Sequence, residues 1–154
     1  MYSTLLIVHS IFRWFVLIIL LLSIYRVYLG YTKKRPFSKT DEALRHWTAT
    51  IAQLQMTIGV ILYIKSPVIH YFWNDFSEGT KNADALFFGL IHIGLMMTSV
   101  VLVTIGSALA KRKKADNDKY KVMLFWFGIT LLIILIAIPW PFSPLANRPY
   151  YRTF

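Results

Sequence analysis

The chain has 154 residues, of which 56% are hydrophobic and 16% aromatic, and its 17 Lys and Arg outnumber its 7 Asp and Glu. This composition is too apolar for an ordinary soluble domain and indicates one compact membrane domain. The basic residues stand in two short loops between apolar runs, a placement that membrane topology explains and nucleic-acid binding does not. Without cysteine, the chain cannot form disulfides, thiolate-held iron–sulfur clusters or covalent c-type haem.

Four segments are long and apolar enough to cross a bilayer, which takes roughly 20 residues. In chain order they lie at about residues 3–29, 44–64, 85–109 and 122–138. We predict an all-α integral membrane four-helix bundle that forms one domain. The first segment lacks the basic region and small-residue cleavage site of a signal peptide, so it is predicted to be a permanent helix. The proline-rich tail, 139–154, is expected to fold across the end of the bundle.

Lysine and arginine are distributed unevenly among the connections. Residues 26–45 and residues 111–121 carry 6 each, whereas residues 65–84 and the tail carry 2 each. By the positive-inside rule, both basic loops are predicted to be cytoplasmic. The chain is therefore predicted to lie in the inner membrane of a bacterium, with both termini in the periplasm.

The first segment carries His9 and Arg13 four residues apart, and therefore on one helical face. A charge at membrane depth is costly and usually marks a functional site. None of the 7 acidic residues lies within a predicted segment. The group that balances Arg13 is therefore a haem propionate, a lipid phosphate reached by snorkelling or an acidic group of another subunit, unless backbone groups satisfy it without neutralising it.

The second segment is polar on two faces. One face consists of residues at helical spacing: His46, Thr50, Gln53 and Thr57. Gln55 lies on another face, because residues two apart on a helix are about 200° apart. One face is expected to look into the bundle, and the other toward another helix or a partner protein. Gln53 lies at about the depth of Arg13, so we expect a hydrogen bond between these two side chains.

The third segment carries His92 at the same depth as His9. At about 1.5 Å per residue, both lie roughly 10 Å from the same end of the bundle. Two level histidines on different helices suggest axial ligands for a b-type haem, because haem iron accepts imidazole nitrogen and bundle cores hold such cofactors. The alternative is that each histidine only hydrogen-bonds a neighbouring helix. Met96, one turn after His92, is a sulfur ligand, a cofactor wall or ordinary packing.

Short motifs spread over nearly the whole chain point to a family. They are His9-Ser10 with Arg13-Trp14, Gln55 with Gly59 and Leu62-Tyr63, His92 with Met96-Met97, and Ile138-Pro139-Trp140-Pro141-Phe142. These motifs resemble a group of small four-helix proteins of Bacteroidota-type bacteria that carry the label cytochrome b. The resemblance implies haem binding. That group often has a histidine at the position of Gln53 and an acidic residue at that of Ile91, so His9 and His92 are left as the best pair.

The predicted function is a b-type haem protein that transfers electrons near the periplasmic face with a redox partner. The predicted site residues are the ligands His9 and His92, the propionate-binding Arg13 and Arg148, and the supporting Gln53, Gln55 and Met96. The alternative is a non-catalytic accessory or assembly subunit of a larger inner-membrane complex, with Arg13 and a polar face of the second segment as helix contacts. A third option is copper handling by His and Met. No hydrolytic or transferase motif is visible, so any enzymatic role is at most redox.

Overall fold

The computed structural model describes residues 2–146 and Arg148, and every regular element in that part of the chain is helical. The elements are, in chain order, α1 (Tyr2–Thr32), α2 (Lys39–Lys65), α3 (Pro67–Asn74), α4 (Phe76–Lys81), α5 (Ala83–Leu86), a π-helix (Phe87–Ile91), α6 (His92–Arg112) and α7 (Asp116–Ala137). The segment from α5 through the π-helix to α6 is one continuous helix. Asn147 and residues 149–154 of the predicted tail lie outside the described residues.

Four helices are long and apolar enough to cross a membrane. They are Tyr2–Thr32, Lys39–Lys65, Ala83–Arg112 and Asp116–Ala137. Their outer surface is apolar, and large side chains such as Phe15, Ile18 and Leu132 are more than half exposed on it. Helices are the form expected here, because lipid offers no partners for backbone groups that are not bonded internally. The predicted four-helix membrane bundle is confirmed.

Three of the spans begin earlier than predicted, at Lys39, Ala83 and Asp116 instead of about residues 44, 85 and 122. The first turn of each carries acidic side chains, which the positive end of the helix dipole favours. At the start of α2, Ser38 and Asp41 form a capping box, in which each side chain bonds the other residue's backbone N–H. A search for apolar runs alone does not find such polar first turns.

The spans form a ring in which α1 lies between α2 and α7, and α6 lies between α7 and α2. The side chains in the middle of the ring are almost fully buried and include Leu20, Val27, Val103, Tyr120 and Phe127. Glycines allow the closest helix contacts. A Cβ at Gly30 would overlap the ring of Tyr120, and one at Gly106 would overlap Trp126. The bundle therefore packs tightly where α7 meets its two neighbours.

We call the end of the bundle that carries the two basic loops the basic end. Here the buried carboxylate of Asp41 accepts hydrogen bonds from Arg26 Nε at 2.7 Å, Arg35 Nη2 at 3.0 Å and Tyr120 Oη at 2.8 Å. These donors belong to α1, to the α1–α2 connection and to α7. With Ser38 of the capping box they form a set that we call the Asp41 cluster. It ties three of the four spans together.

We call the opposite end, which carries Tyr2, Ser66 and Pro139, the tail end. Helices α3 and α4 lie here, in the connection between the second and third spans, for which the sequence predicted no helix. The ring of Phe72 on α3 is fully buried and packs against Gly79 and Gly89. Its packing fixes the connection onto the third span.

The described part of the tail crosses the tail end of the bundle. Helix α7 ends at Ala137, two residues before Pro139, because proline cannot continue the helical hydrogen bonds. The indole Nε1 of Trp140 donates to the carbonyl of Leu135 at 2.7 Å. Farther on, Arg148 Nη2 lies 2.6 Å from a carboxylate oxygen of Asp84 at the start of α5. The described part of the tail thus connects the end of α7 to the beginning of the third span.

Candidate functional site

A cavity of about 170 Å³ extends from the tail end into the middle of the bundle. All four spans line it, together with the beginning of α3 and Arg148 of the tail. We call it the histidine cavity. It is lined by six of the seven residues predicted to form the site: His9, Arg13, Gln55, His92, Met96 and Arg148. The remaining surface is mainly apolar.

The structure brings His9 and His92 together. Their ring centres are 6.5 Å apart, and the ring planes are inclined by 72°. Two imidazoles that ligate opposite sides of one metal ion have ring centres about 6 Å apart, because each metal–nitrogen bond is about 2.0 Å long and the nitrogen lies on the ring. The observed distance between the ring centres is close to that value. It follows from the common depth of the two histidines on parallel helices α1 and α6.

Helix α2 packs directly against His9. Gly59 leaves only enough room for the ring, because a Cβ there would lie 3.2 Å from His9 Cε1. One turn away, Gln55 Nε2 donates to the backbone carbonyl of His9 at 3.0 Å. Among the residues that the structure describes, His9 Nδ1 and Gln55 Oε1 are buried and have no hydrogen-bond partner. Such groups are costly to bury, and a ligand that bonded these two atoms would remove that cost.

His92 is held from the opposite side by α7. Its Nδ1 lies 2.8 Å from the carbonyl oxygen of Ala137. A carbonyl only accepts, so Nδ1 carries the proton and donates it, which leaves a lone pair on Nε2. Metal-binding histidines usually donate their second ring N–H in this way. The ring also contacts Phe87 and Phe88, with centres 5.7 and 5.9 Å away.

Two arginines stand at different levels of the histidine cavity. The guanidinium carbon of Arg13 lies 5.4 Å from the ring centre of Trp14, deeper than His9 on α1. Arg148 lies near the mouth of the cavity, where it pairs with Asp84 and approaches the ring of Phe88 at 5.3 Å. Both arginines therefore line the cavity, but the charge of Arg148 at the mouth is already paired with that of Asp84.

Gln53 does not reach the cavity, in contrast to our prediction. Its side chain lies on the exterior between α2 and α6, where Nε2 donates to Thr104 Oγ1 at 3.0 Å. The expected bond to Arg13 is therefore replaced by one to Thr104. The cause is helical geometry, since Gln53 and Gln55 point about 200° apart and only one of them can face the bundle. The buried Thr48 and Ala52 belong to the face of Gln55.

The donor set of the cavity fits a haem better than a bare metal ion. A porphyrin supplies the equatorial nitrogens itself, so two histidines complete its iron. A bare ion usually needs three or more protein ligands, and in the described part of the chain no three His, Cys, Asp or Glu side chains converge. The room is narrow, because 170 Å³ is below the roughly 300–1,000 Å³ of typical ligand sites. A porphyrin therefore requires flexible lining side chains such as Met56 and Met96 to move aside.

Two residues at the tail end were not predicted to belong to the site, although Tyr63 is part of one of the motifs quoted above. Asp84 pairs with Arg148, and Tyr63 Oη bonds the carbonyl of Gly89 in the π-helix. The sequence offers one clue for Asp84, which is the acidic residue nearest to the third span on that side. No pattern in the sequence marks a π-helix.

Comparisons of the chain with protein-family models, with curated proteins and with solved structures found no match.

Proposed function

We propose that the histidine cavity binds a b-type haem and that the protein transfers electrons at its tail end. The observation that carries this proposal is the pair of imidazole rings from α1 and α6, 6.5 Å apart and facing one cavity. The hydrogen bond from His92 to Ala137 leaves Nε2 available as a ligand. The resemblance to proteins labelled cytochrome b supports the same cofactor.

Each predicted site residue that lines the cavity has a role in this proposal. His9 and His92 would hold the iron, and a bound haem would supply a one-electron redox couple. Arg13 and Arg148 would bind its propionates, since guanidinium groups match carboxylates in charge and shape. Gln55 holds the backbone of His9 and directs a free oxygen toward the cavity. Met96 forms part of the apolar wall.

The orientation in the membrane determines where the electrons go. The excess of Lys and Arg at the basic end favours a cytoplasmic position for that end, in the inner membrane of a bacterium. The tail end and its cavity then face the periplasm. One haem near one face cannot carry electrons across the whole bilayer, so the proposed function requires a redox partner that docks at the tail end.

Titration with haem tests the proposal directly. The full-length protein, purified in detergent or nanodiscs, should take up haem and show a reduced-minus-oxidised b-type absorption band. His9→Ala and His92→Ala should each abolish this band. His46→Ala and His70→Ala are matched controls, because these histidines are exposed and lie outside the cavity, and they should leave the band intact. A wild-type protein that stays colourless in the presence of excess haem would overturn the proposal.

A second candidate function is that of a non-catalytic subunit of a membrane complex. The observation that favours it is the polar stripe on the exterior of α2, where His46, Gln53 and Thr57 are exposed within a span. Polar side chains on a lipid-facing surface are well suited to bind a neighbouring helix. Site-specific cross-linking from position 53 in native membranes should capture a partner helix if this is the function, and lipid alone if it is not.

Copper handling by His9, His92 and Met96 stays a prediction. All three side chains line the histidine cavity, and their ligand types suit copper. Copper analysis of the purified protein tests this option on the same sample as the haem titration. A copper content that falls in His9→Ala would favour it over haem.

A further inference from the structure

Tyr63 stands in a chain of hydrogen bonds that links helix α3 to the segment before His92. Its hydroxyl lies 2.8 Å from the carbonyl oxygen of Gly89 and 2.7 Å from Nε1 of Trp73. An indole N–H only donates, and a carbonyl only accepts. The direction of the chain is therefore fixed: Trp73 donates to Tyr63, and Tyr63 donates to Gly89.

The acceptor of this chain lies in the π-helix, Phe87–Ile91, which directly precedes His92. The backbone N–H of His92 closes this wide turn on the carbonyl of Phe87. Short π-helical turns are rare and are frequent at functional sites. One extra residue in a helix rotates everything after it by about 100°. The π-helix thus determines the face of the third span from which His92 meets His9.

The π-helix is held from the side by α3. The buried ring of Phe72 occupies the space in which a Cβ at Gly89 would lie, since its Cδ1 would be 2.6 Å from that atom. A larger residue at this position would push α3 away, and Tyr63 would then lose its donor, Trp73. Packing and hydrogen bonding therefore act on the same residue of the π-helix.

We propose that Tyr63 is a positioning residue, which holds the π-helix and through it orients the His92 ring toward the cofactor. Trp73 supports it by fixing the direction of its hydroxyl. Since the side chain of Trp73 is more than half exposed, this chain of hydrogen bonds connects the surface of the tail end to the segment that precedes His92. This inference rests on the proposed haem function, although the hold on the π-helix itself requires no haem.

Hydrogen exchange of the haem-free, full-length protein tests this hold. In Tyr63→Phe, amides of residues 87–92 should exchange about fivefold faster, the factor that corresponds to one ordinary hydrogen bond. Exchange in the rest of the spans should stay as in the wild type. Tyr71→Phe, on the exposed face of α3, is the matched control and should leave residues 87–92 unchanged. Unchanged exchange in Tyr63→Phe, or uniform acceleration throughout the bundle, would overturn the inference.

The spectrum of the haem-loaded protein tests the orientation of His92. Tyr63→Phe should retain haem but shift its low-spin EPR signal, because ligand orientation tunes the iron. Trp73→Phe should shift it in the same direction by less. If the wild type binds haem and Tyr63→Phe leaves the signal unchanged, the positioning role alone is wrong. If the wild type binds no haem, the proposed function is wrong, and so is the proposal that Tyr63 orients the His92 ring toward a cofactor. The hydrogen-exchange comparison still decides whether Tyr63 holds the π-helix.

Discussion

The two ends of the bundle bury polar side chains in opposite ways. At the basic end, the carboxylate of Asp41 has donors from Arg26, Arg35 and Tyr120 as well as from Ser38. At the tail end, polar groups line a cavity, and two buried atoms on its α1–α2 wall have no partner among the described residues. The carboxylate of Asp41 is therefore fully bonded, although Arg35 Nε beside it is buried without a partner among the described residues, whereas the polar groups of the tail end surround an open space.

This difference separates polar groups that stabilise the fold from those that we propose to bind a ligand. A buried charge whose hydrogen bonds are all made contributes to stability. Its removal leaves its partners buried without a hydrogen bond, which lowers the free energy of unfolding. A buried polar group without a partner lowers stability and is kept where it serves a ligand. Substitutions at the basic end should therefore lower the free energy of unfolding, and substitutions in the cavity should act on ligand binding instead.

The largest loss of stability is expected for Asp41→Asn. The neutral amide leaves Arg26 and Arg35 without their shared counter-charge. Removal of one partner from a buried ion pair costs about 3–5 kcal/mol, but these arginine side chains are 35% and 34% exposed. Partial exposure reduces the loss to about 2–3 kcal/mol. Denaturant unfolding in detergent measures this value.

Asp118→Asn is the control for this substitution. It changes the net charge by the same amount as Asp41→Asn, but Asp118 lies in the exposed first turn of α7. Its effect on the free energy of unfolding should therefore stay within about 0.5 kcal/mol. Haem uptake should be unchanged in Asp41→Asn at temperatures where the protein is folded. Equal losses in the two variants would mean that net charge and not the Asp41 cluster stabilises the basic end.

Gly30→Ala should have the second largest effect. Its Cβ would overlap the ring of Tyr120 and displace the hydroxyl that bonds Asp41. We expect a loss of about 1–3 kcal/mol from overpacking, even though alanine is favoured over glycine in helices by up to about 1 kcal/mol. Gly128→Ala adds the same methyl group where no atom lies within 4 Å, so it should gain stability. Thermal unfolding of both variants compares them, and a stabilising Gly30→Ala would refute the close packing at Tyr120.

The parts of the structure that were predictable depend on quantities that a helix keeps constant. Apolar length defines the four spans, and the constant rise per residue defines depth. The common level of His9 and His92 follows from depth alone, and the structure brings their rings together. The capping box of Ser38 and Asp41 follows the Ser-x-x-Asp start pattern, which apolar length does not detect, so the predicted helix start lies too late in the chain.

The parts that were not predictable depend on rotation. The second span is polar on two faces, so hydropathy does not decide whether Gln53 or Gln55 faces inward. Packing decides it, because Thr48 and Ala52 can approach neighbouring helices more closely than the Gln53 face does. The π-helix before His92 changes the rotation of a whole span. The side-chain hydrogen bond that it accepts comes from Tyr63 of another helix, so no local pattern predicts it.

Thr48→Val should cause a smaller loss. Thr48 Oγ1 lies 2.6 Å from Ser23 Oγ in the buried contact between α1 and α2. Valine keeps the shape of the side chain and removes the hydrogen bond, which costs about 1 kcal/mol. Thr57→Val is the matched control, because Thr57 is exposed and bonds only the carbonyl of Gln53 on its own helix. Unfolding of both variants in detergent distinguishes an interhelical bond, whose loss is measurable, from a local one, whose loss is not.

The smallest effects on stability should come from the two glutamines, which distinguish the cavity from the exterior of α2. Gln55→Met removes the buried Oε1 that has no described partner, so the loss of the bond to His9 is offset and stability should change by less than about 0.5 kcal/mol. Gln53→Met breaks the bond to Thr104 and should cost about 0.6 kcal/mol. Haem titration should show the reverse order: weaker uptake in Gln55→Met and unchanged uptake in Gln53→Met. Equal uptake in both variants would mean that the Gln55 wall of the cavity does not contact the ligand.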